Sequence, residues 1–225
     1  MRLVEIYTSV QGEGPNTGKM IQFVRFGGCN YQCAGWPCDT QHAIDQQFSD
    51  RWEQVTVEDV LSRIKPWPKH VCITGGEPLT QRSSEMRALA ENLTSNHYDI
   101  DLFTNGSRPL PEWTGISYVT TIMDWKLDGS GEGGNDIEQR LANLKLLSPW
   151  DAVKFVVKNE HDLDQARHVY ALHNIDKMPL DVYVGAVWGA IKDDEIINFL
   201  KHYQLDWSLN CQVHKYVWDP NRIGV

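Results

Sequence analysis

Apolar residues recur along the chain in two alternating rhythms. Short near-continuous apolar runs, among them VCIT, VKFVV and VYVG, are the signature of strands covered on both faces. They predict strands at Leu3–Tyr7, Met20–Phe26, His70–Thr74, Asp99–Thr104, Tyr118–Met123, Ala152–Val157, Asp181–Val184 and Asp206–Gln212. Between them Leu, Ile, Val and Ala return at three- and four-residue steps, giving one apolar face each. That spacing predicts helices at Val57–Ile64 behind an N-cap at Thr56, Ser84–Leu93, Asp136–Leu147, Leu163–His173 behind Asp162, and Asp193–His202. The stretch NGSRPLPEWTGIS, with two prolines and two glycines, reads as a loop without a helix.

Strands alternating with helices imply βαβ units and a parallel sheet. The helices are too few for a closed eight-fold barrel. The expectation is an α/β fold: a partial, incomplete TIM-like barrel of mostly parallel strands, forming a single domain over 1–225. In such a sheet the chemistry collects at the carboxyl ends of the strands.

Charge narrows the function classes. Twenty-one Lys and Arg against thirty Asp and Glu leave a net charge of −9, which argues against a non-specific nucleic-acid binder. No run reaches the roughly 18–20 apolar residues that span a bilayer. The opening MRLVEIYTSVQGEG carries Glu5 and lacks the apolar core of a signal peptide. A cytoplasmic protein, with no membrane and no nucleic-acid partner, is expected.

Cys29, Cys33 and Cys38 crowd into ten residues in GGCNYQCAGWPCDT, while Cys72 and Cys211 stand alone within apolar surroundings. An odd cysteine count with a cluster points to a metal before disulfides. A zinc knuckle with His42 as fourth ligand fits the spacing. So does an iron–sulfur cluster with one iron left open. The second motif lies elsewhere. VCIT ends in Gly75-Gly76-Glu77-Pro78, where two glycines let the backbone approach a ligand and Glu77 offers a carboxylate to an ammonium group.

Three cysteines upstream of Gly-Gly-Glu-Pro resemble the radical S-adenosylmethionine (SAM) enzymes. The stretch EIYTSVQGEGPNTGKMIQFVRFGGCNYQC resembles the 7-carboxy-7-deazaguanine synthase, or QueE, family more specifically. Cys38-Asp39-Thr40, ITGGEPL, Lys126, VKFVV and the Gln212–His214 pair before an aromatic tail extend the likeness over nearly the whole chain. The resemblance implies a radical SAM core and a magnesium-assisted ring contraction of 6-carboxy-5,6,7,8-tetrahydropterin, releasing ammonia. It implies a 4Fe-4S cluster on Cys29, Cys33 and Cys38, and Mg2+ on Thr40. Val10, Gln11, Gly12, Glu13, Arg25, Thr74, His214 and Val225 would border the pterin. Trp36, Pro37, Asp39, Gly75, Gly76, Glu77, Asn105, Asp124, Lys126, Tyr183, Val184 and Gly185 would border SAM. A short N-terminal strand and turn would bind substrate, and a C-terminal tail would close the pocket. A flavodoxin- or ferredoxin-like electron donor and a homodimer follow from the same likeness.

The chain departs from the family pattern where AGWP puts four residues between the second and third cysteines. It departs again at Asp124-Trp125-Lys126, at Phe103-Thr104-Asn105-Gly106 and at Tyr183. Two other functions compete with the synthase: a radical SAM activase acting on a partner protein, and a non-enzymatic Cys3His zinc module.

Overall fold

The computed structural model describes every residue except Pro37, Asn221 and Val225. Among the described residues nine strands form one sheet. They are β1 (Arg2–Val10), β2 (Met20–Phe26), β3 (Glu53–Gln54), β4 (His70–Gly75), β5 (Asp99–Thr104), β6 (Val119–Trp125), β7 (Ala152–Val157), β8 (Asp181–Ala186) and β9 (Ser208–Leu209). Their spatial order is β3-β1-β2-β4-β5-β6-β7-β8-β9. β1 runs antiparallel to β2 and β3, and every pairing from β2 to β9 is parallel. The sheet is the expected partial barrel, with an edge at each end.

The α-helices are α1 (Gln41–Ile44), α2 (Val57–Arg63), α3 (Ser83–Ser95), α4 (Ile137–Leu144), α5 (Glu160–Leu172), α6 (Asp193–Tyr203) and α7 (Val213–Val217). Strand residues alternate between faces, so Val71, Ile73, Ile100 and Leu102 meet the α2–α3 side. Val153, Phe155, Val157, Val182 and Val184 meet the α5–α6 side. The opposite face lines the barrel interior and carries Ile21, Phe23 and Cys72, with Tyr7 and Phe103 against them. No connection between β5 and β6 is α-helical; only the 3-10 turn Glu112–Gly115 interrupts it, as the two prolines foretold.

β1 runs on to Val10 and β8 to Ala186, α4 stops at Leu144, and three further boundaries differ from expectation for local reasons. α5 starts three residues earlier, because Asn159 and not Asp162 caps it: the Asn159 side chain accepts from Asp162 N at 3.0 Å. β6 continues through Asp124 and Trp125 by pairing with Lys154 and Phe155. The last strand shrinks to Ser208–Leu209. Gln212 adopts a left-handed backbone at φ 48° and opens α7, whose apolar spacing is too short to announce a helix. Among the described residues no helix is long and apolar enough to cross a membrane.

Candidate active site

The QGEG segment leaves β1 and folds back over the barrel interior. A Cβ on Gly14 would come within 3.3 Å of Ile122, and its φ of +72° favours glycine. Gly14 N donates to Asn210 Oδ1 at 2.9 Å, and Val213 N donates to Gly12 O at 3.1 Å. The turn is therefore pinned between the first and last thirds of the chain. Gln11 is buried beneath it: its amide donates to Asp101 Oδ2 at 3.0 Å, and Asn16 donates to Asp101 Oδ1 at 2.7 Å. His70 Nε2 completes this network, 2.9 Å from the same carboxylate. Gln11 anchors the turn and does not border open space.

Glu13 reaches the interior and meets Lys154. Lys154 Nζ lies 2.5 Å from Glu13 Oε2 and 3.0 Å from Asp124 Oδ1, and Asp124 Oδ2 lies 2.8 Å from Lys126 Nζ. Gln212 donates to Glu13 Oε1 at 3.1 Å. Burial raises the Glu13 carboxyl, but the Lys154 ammonium overrides it and holds the group down at about 2. Burial likewise disfavours the charged lysine, and Asp124 and Glu13 more than restore it. Positive and negative groups thus alternate from Glu13 through Lys154 and Asp124 to Lys126.

On the neighbouring wall Arg25 is gripped from β1. Its Nε donates to Glu5 Oε1 at 2.8 Å and one terminal nitrogen donates to Tyr7 Oη at 3.0 Å. Tyr7 is stacked on Phe23 at 4.9 Å. The guanidinium keeps a second terminal nitrogen for a ligand. Thr74 is its register partner on β4, and Val10 ends β1, half-buried. His214, the second residue of α7, packs against Gly12, and burial lowers its imidazole below the ordinary range.

The cysteine loop sits at the carboxyl end of β2, packed backbone to backbone on the glycine turn after β4. Gly76 N donates to Phe26 O at 3.0 Å and Glu77 N to Gly28 O at 2.9 Å. A Cβ on Gly76 would meet the Cys29 Cβ at 2.9 Å, and Gly75 has φ +148° with no space above Phe26. These glycines make room for the cysteine loop first. Glu77 is fully enclosed. Its carboxylate accepts from Leu79 N at 3.0 Å, Thr104 Oγ1 at 2.9 Å and Asn105 N at 2.6 Å. Burial pushes it up to about 7 in spite of these donors. Glu77 braces the turn from behind, with two of these donors on Oε1 and one on Oε2.

All three clustered cysteines are free thiols. Cys29 and Cys33 feel each other electrostatically, as do Cys33 and Cys38, and Lys126 acts on both Cys29 and Cys33. Burial pushes the Cys29 thiol up to about 11. Tyr31 N and Asn105 Nδ2 point at the Cys29 sulfur, at 3.4 and 3.7 Å. Soft thiol donors on one loop, with N–H groups aimed at sulfur and a cation alongside, fit an iron–sulfur cluster. Among the described residues no three His, Cys, Asp or Glu are gathered to hold a single metal ion. His42 instead lies 3.3 Å from Glu5 Oε1, so the zinc knuckle is not formed.

The remaining expected residues are placed unevenly. Thr40 Oγ1 is 3.3 Å from the Cys38 sulfur, and exposed Asp39 faces Lys215 at 3.5 Å. Trp36 lies half-buried in the loop, its N–H donating to Cys33 O at 3.3 Å. The extra loop length is used to dock on the turn after β6: Gly35 N donates to Ser130 O at 3.0 Å, and Lys158 bridges Gly35 O and Gly129 O. Val184 turns its side chain into the α5–α6 core, fully buried, as strand alternation dictates. Gly185 is covered by Asn210, and Tyr183 pairs in register with Ser208 towards the start of β8. The Pro37 and Val225 assignments lie outside the described residues. Sequence reasoning missed Lys154, Asp101, Asn210 and Gln212 as parts of this site. A lysine inside the apolar run VKFVV was the available signal, since a charge there demands a partner.

Three thiols after the first parallel strand, docked on a Gly-Gly-Glu-Pro turn in an incomplete barrel, define a radical SAM fold and site. A family model described as a 4Fe-4S single cluster domain matches residues 10–120. The chain is 34% identical to a 7-carboxy-7-deazaguanine synthase of Clostridium acetobutylicum, over 100% of this chain and 99% of that one. It is 32% identical to one of Koribacter versatilis, over 100% of both. The crystal structure of QueE from Escherichia coli shares the fold, with a TM-score of 0.71, 24% identity and 92% of each chain covered. The chain belongs to the 7-carboxy-7-deazaguanine synthase family.

Proposed function

We propose that this chain converts 6-carboxy-5,6,7,8-tetrahydropterin to 7-carboxy-7-deazaguanine with release of ammonia. The observation that carries the proposal is that Glu13 and Arg25 both act on His214, while the chain Glu13–Lys154–Asp124–Lys126 runs from the same turn to the charge that acts on Cys29 and Cys33. Full-length kinship to synthases of that name supports the same reaction.

Cys29, Cys33 and Cys38 would hold the 4Fe-4S cluster, with SAM completing it. When bound, the pair supplies a 5′-deoxyadenosyl radical. The chain's own residues orient the substrate. Each Glu13 oxygen already accepts one hydrogen bond and keeps a further lone-pair position. That leaves two acceptors for the paired N–H groups of the pterin's guanidine-like edge. Arg25, fixed by Glu5 and Tyr7, takes the substrate carboxylate with its free N–H groups. Thr74 lies beside it, and His214 closes the pocket over Gly12. Lys126, Asn105, Gly75 and Gly76 form the SAM side. Thr40 supplies a hydroxyl oxygen suited to Mg2+. The protein acts as a single domain and homodimer in the cytoplasm, and takes electrons from a flavodoxin- or ferredoxin-like donor.

Two substitutions test the assignment. Cys33→Ala is expected to lose iron, sulfide and activity; near-normal iron and turnover would refute its ligand role. Arg25→Ala is expected to raise KM for the pterin about tenfold or more. Its cluster and uncoupled SAM cleavage should stay intact. An unchanged KM would remove Arg25 from the substrate site.

A further inference from the structure

Lys154 is a buried lysine to which the resemblance assigns no role. It stands in the middle of β7, in a run otherwise apolar, with its side chain 7% exposed. A lysine so enclosed is costly unless it is paired. It is paired twice, at 2.5 Å to Glu13 and at 3.0 Å to Asp124, its cross-strand neighbour on β6. Its ammonium also lies 5.3 Å from the centre of the Phe103 ring. The two carboxylates come from unrelated places. Glu13 rides on a glycine-flanked turn between antiparallel strands, and Asp124 is a strand residue already committed to Lys126 at 2.8 Å. The turn has little else to orient the Glu13 side chain. Gln212 gives it one neutral hydrogen bond, at 3.1 Å, from an element that begins only at that residue.

We propose that Lys154 is a positioning residue that sets pterin affinity by holding the Glu13 carboxylate charged and aimed into the pocket. This rests on Glu13 being the pterin's acceptor. The geometry shows how it works. Lys154 occupies one lone pair of Oε2, on the side towards β7, and Gln212 occupies one of Oε1. The carboxylate is thereby clamped at both oxygens, and its remaining lone pairs are the ones left for paired donors. Preorganising that acceptor removes an ordering cost that the substrate would otherwise meet on binding. The Lys154–Asp124–Lys126 continuation fixes the ammonium itself. Lys154 is therefore held by β6 and in turn holds the turn, and its effect on the pterin passes through Glu13.

The test is a double-mutant cycle read by binding and not by turnover. Anaerobic equilibrium dialysis measures the Kd of 6-carboxy-5,6,7,8-tetrahydropterin on cluster-loaded protein with SAM present and reductant withheld. Iron and sulfide are assayed on the same samples. Lys154→Met is expected to raise Kd roughly tenfold or more, as loss of one partner of a buried charge pair does. Iron and sulfide should change by less than about twofold, and the Kd for SAM, which reads the Asp124–Lys126 arm, by less than the Kd for the pterin. Lys154→Arg should recover part of the affinity. In a Glu13→Gln background Lys154→Met should add no more than about twofold. A full Lys154 penalty on top of Glu13→Gln would overturn the proposal, since the lysine would then act elsewhere. So would an unchanged Kd in Lys154→Met. Should Lys154→Met fail to retain its cluster, Lys154→Gln keeps a donor without the charge and is read against the same outcomes. If Glu13→Gln itself binds pterin normally, the proposed substrate role of Glu13 fails; if only the Lys154 variants bind normally, the failure is confined to Lys154.

Discussion

Arg25 and Lys154 show two kinds of functional residue. Arg25 stands in FVRFGGC, a segment whose resemblance to one enzyme family announces it. Lys154 stands in an apolar strand and is visible only once Glu13, more than a hundred residues away in sequence, is folded against it. Sequence could flag the misfit of that charge but not its partner. Glu77 is the reverse case: the motif was legible, but not that its carboxylate accepts from Leu79, Thr104 and Asn105. Glu77→Gln would set an amide N–H against these donors. It is expected to destabilise the fold by about 1–3 kcal/mol and to lower cluster retention, read as thermal midpoint and iron per chain. Asp101 is a second hidden anchor. Its carboxylate accepts from Gln11, Asn16 and His70. Asp101→Ala should leave these groups unpaired and raise KM for the pterin more than it lowers kcat, because the turn and not the cluster loop loses its seat. Equal loss of kcat with unchanged KM would contradict that.

Among the elements, long periodic segments were the most legible. The α2 cap is an instance: Thr56 Oγ1 accepts from Asp59 N at 3.1 Å while Asp59 accepts from Thr56 N at 2.9 Å. Thr56→Ala is expected to cost about 1 kcal/mol of stability, with pterin KM unchanged, since α2 lies on the outer face. Short elements escaped because their spacing carries no period. α7 spans five residues, and β9 exists only through its pairing with β8. Both matter to the site, because Asn210 and Gln212 flank them and hold the QGEG turn. The cysteine loop belongs to this scale too. Its four-residue interval looks irregular in sequence, but Gly35 and Lys158 tie it to the turn Asp128–Ser130. Lys158→Ala should loosen that loop, seen as faster proteolysis near Trp36 and faster loss of iron under chelator. Unchanged rates would show the clasp to be incidental.

Across the whole molecule, the barrel brings a carboxylate from the first β-turn under control of a lysine from the fifth parallel strand. That placement has a pH consequence. The Glu13 carboxyl ordinarily titrates at 4.5 and is held at about 2 when folded, so it binds fewer protons in the folded state. Its contribution to stability is full above pH 4.5 and is lost as pH falls towards 2. The difference in thermal midpoint between unsubstituted and Glu13→Gln protein should therefore narrow below pH 4.5. The open barrel, the parallel order and the location of the chemistry at strand ends were all legible from apolar rhythm and loop motifs. The closure of its interior by the QGEG turn was not, since it depends on contacts between the first fifteen residues and those after Ser208.

The most direct measurement is an anaerobic turnover assay on cluster-loaded protein with SAM, Mg2+, reductant and 6-carboxy-5,6,7,8-tetrahydropterin, with products read by mass spectrometry. Formation of 7-carboxy-7-deazaguanine over many turnovers, with SAM not consumed in proportion, is the expected result. Cleavage of SAM to 5′-deoxyadenosine with no deazaguanine formed would contradict it, and would leave the fold and the cluster loop serving a different substrate.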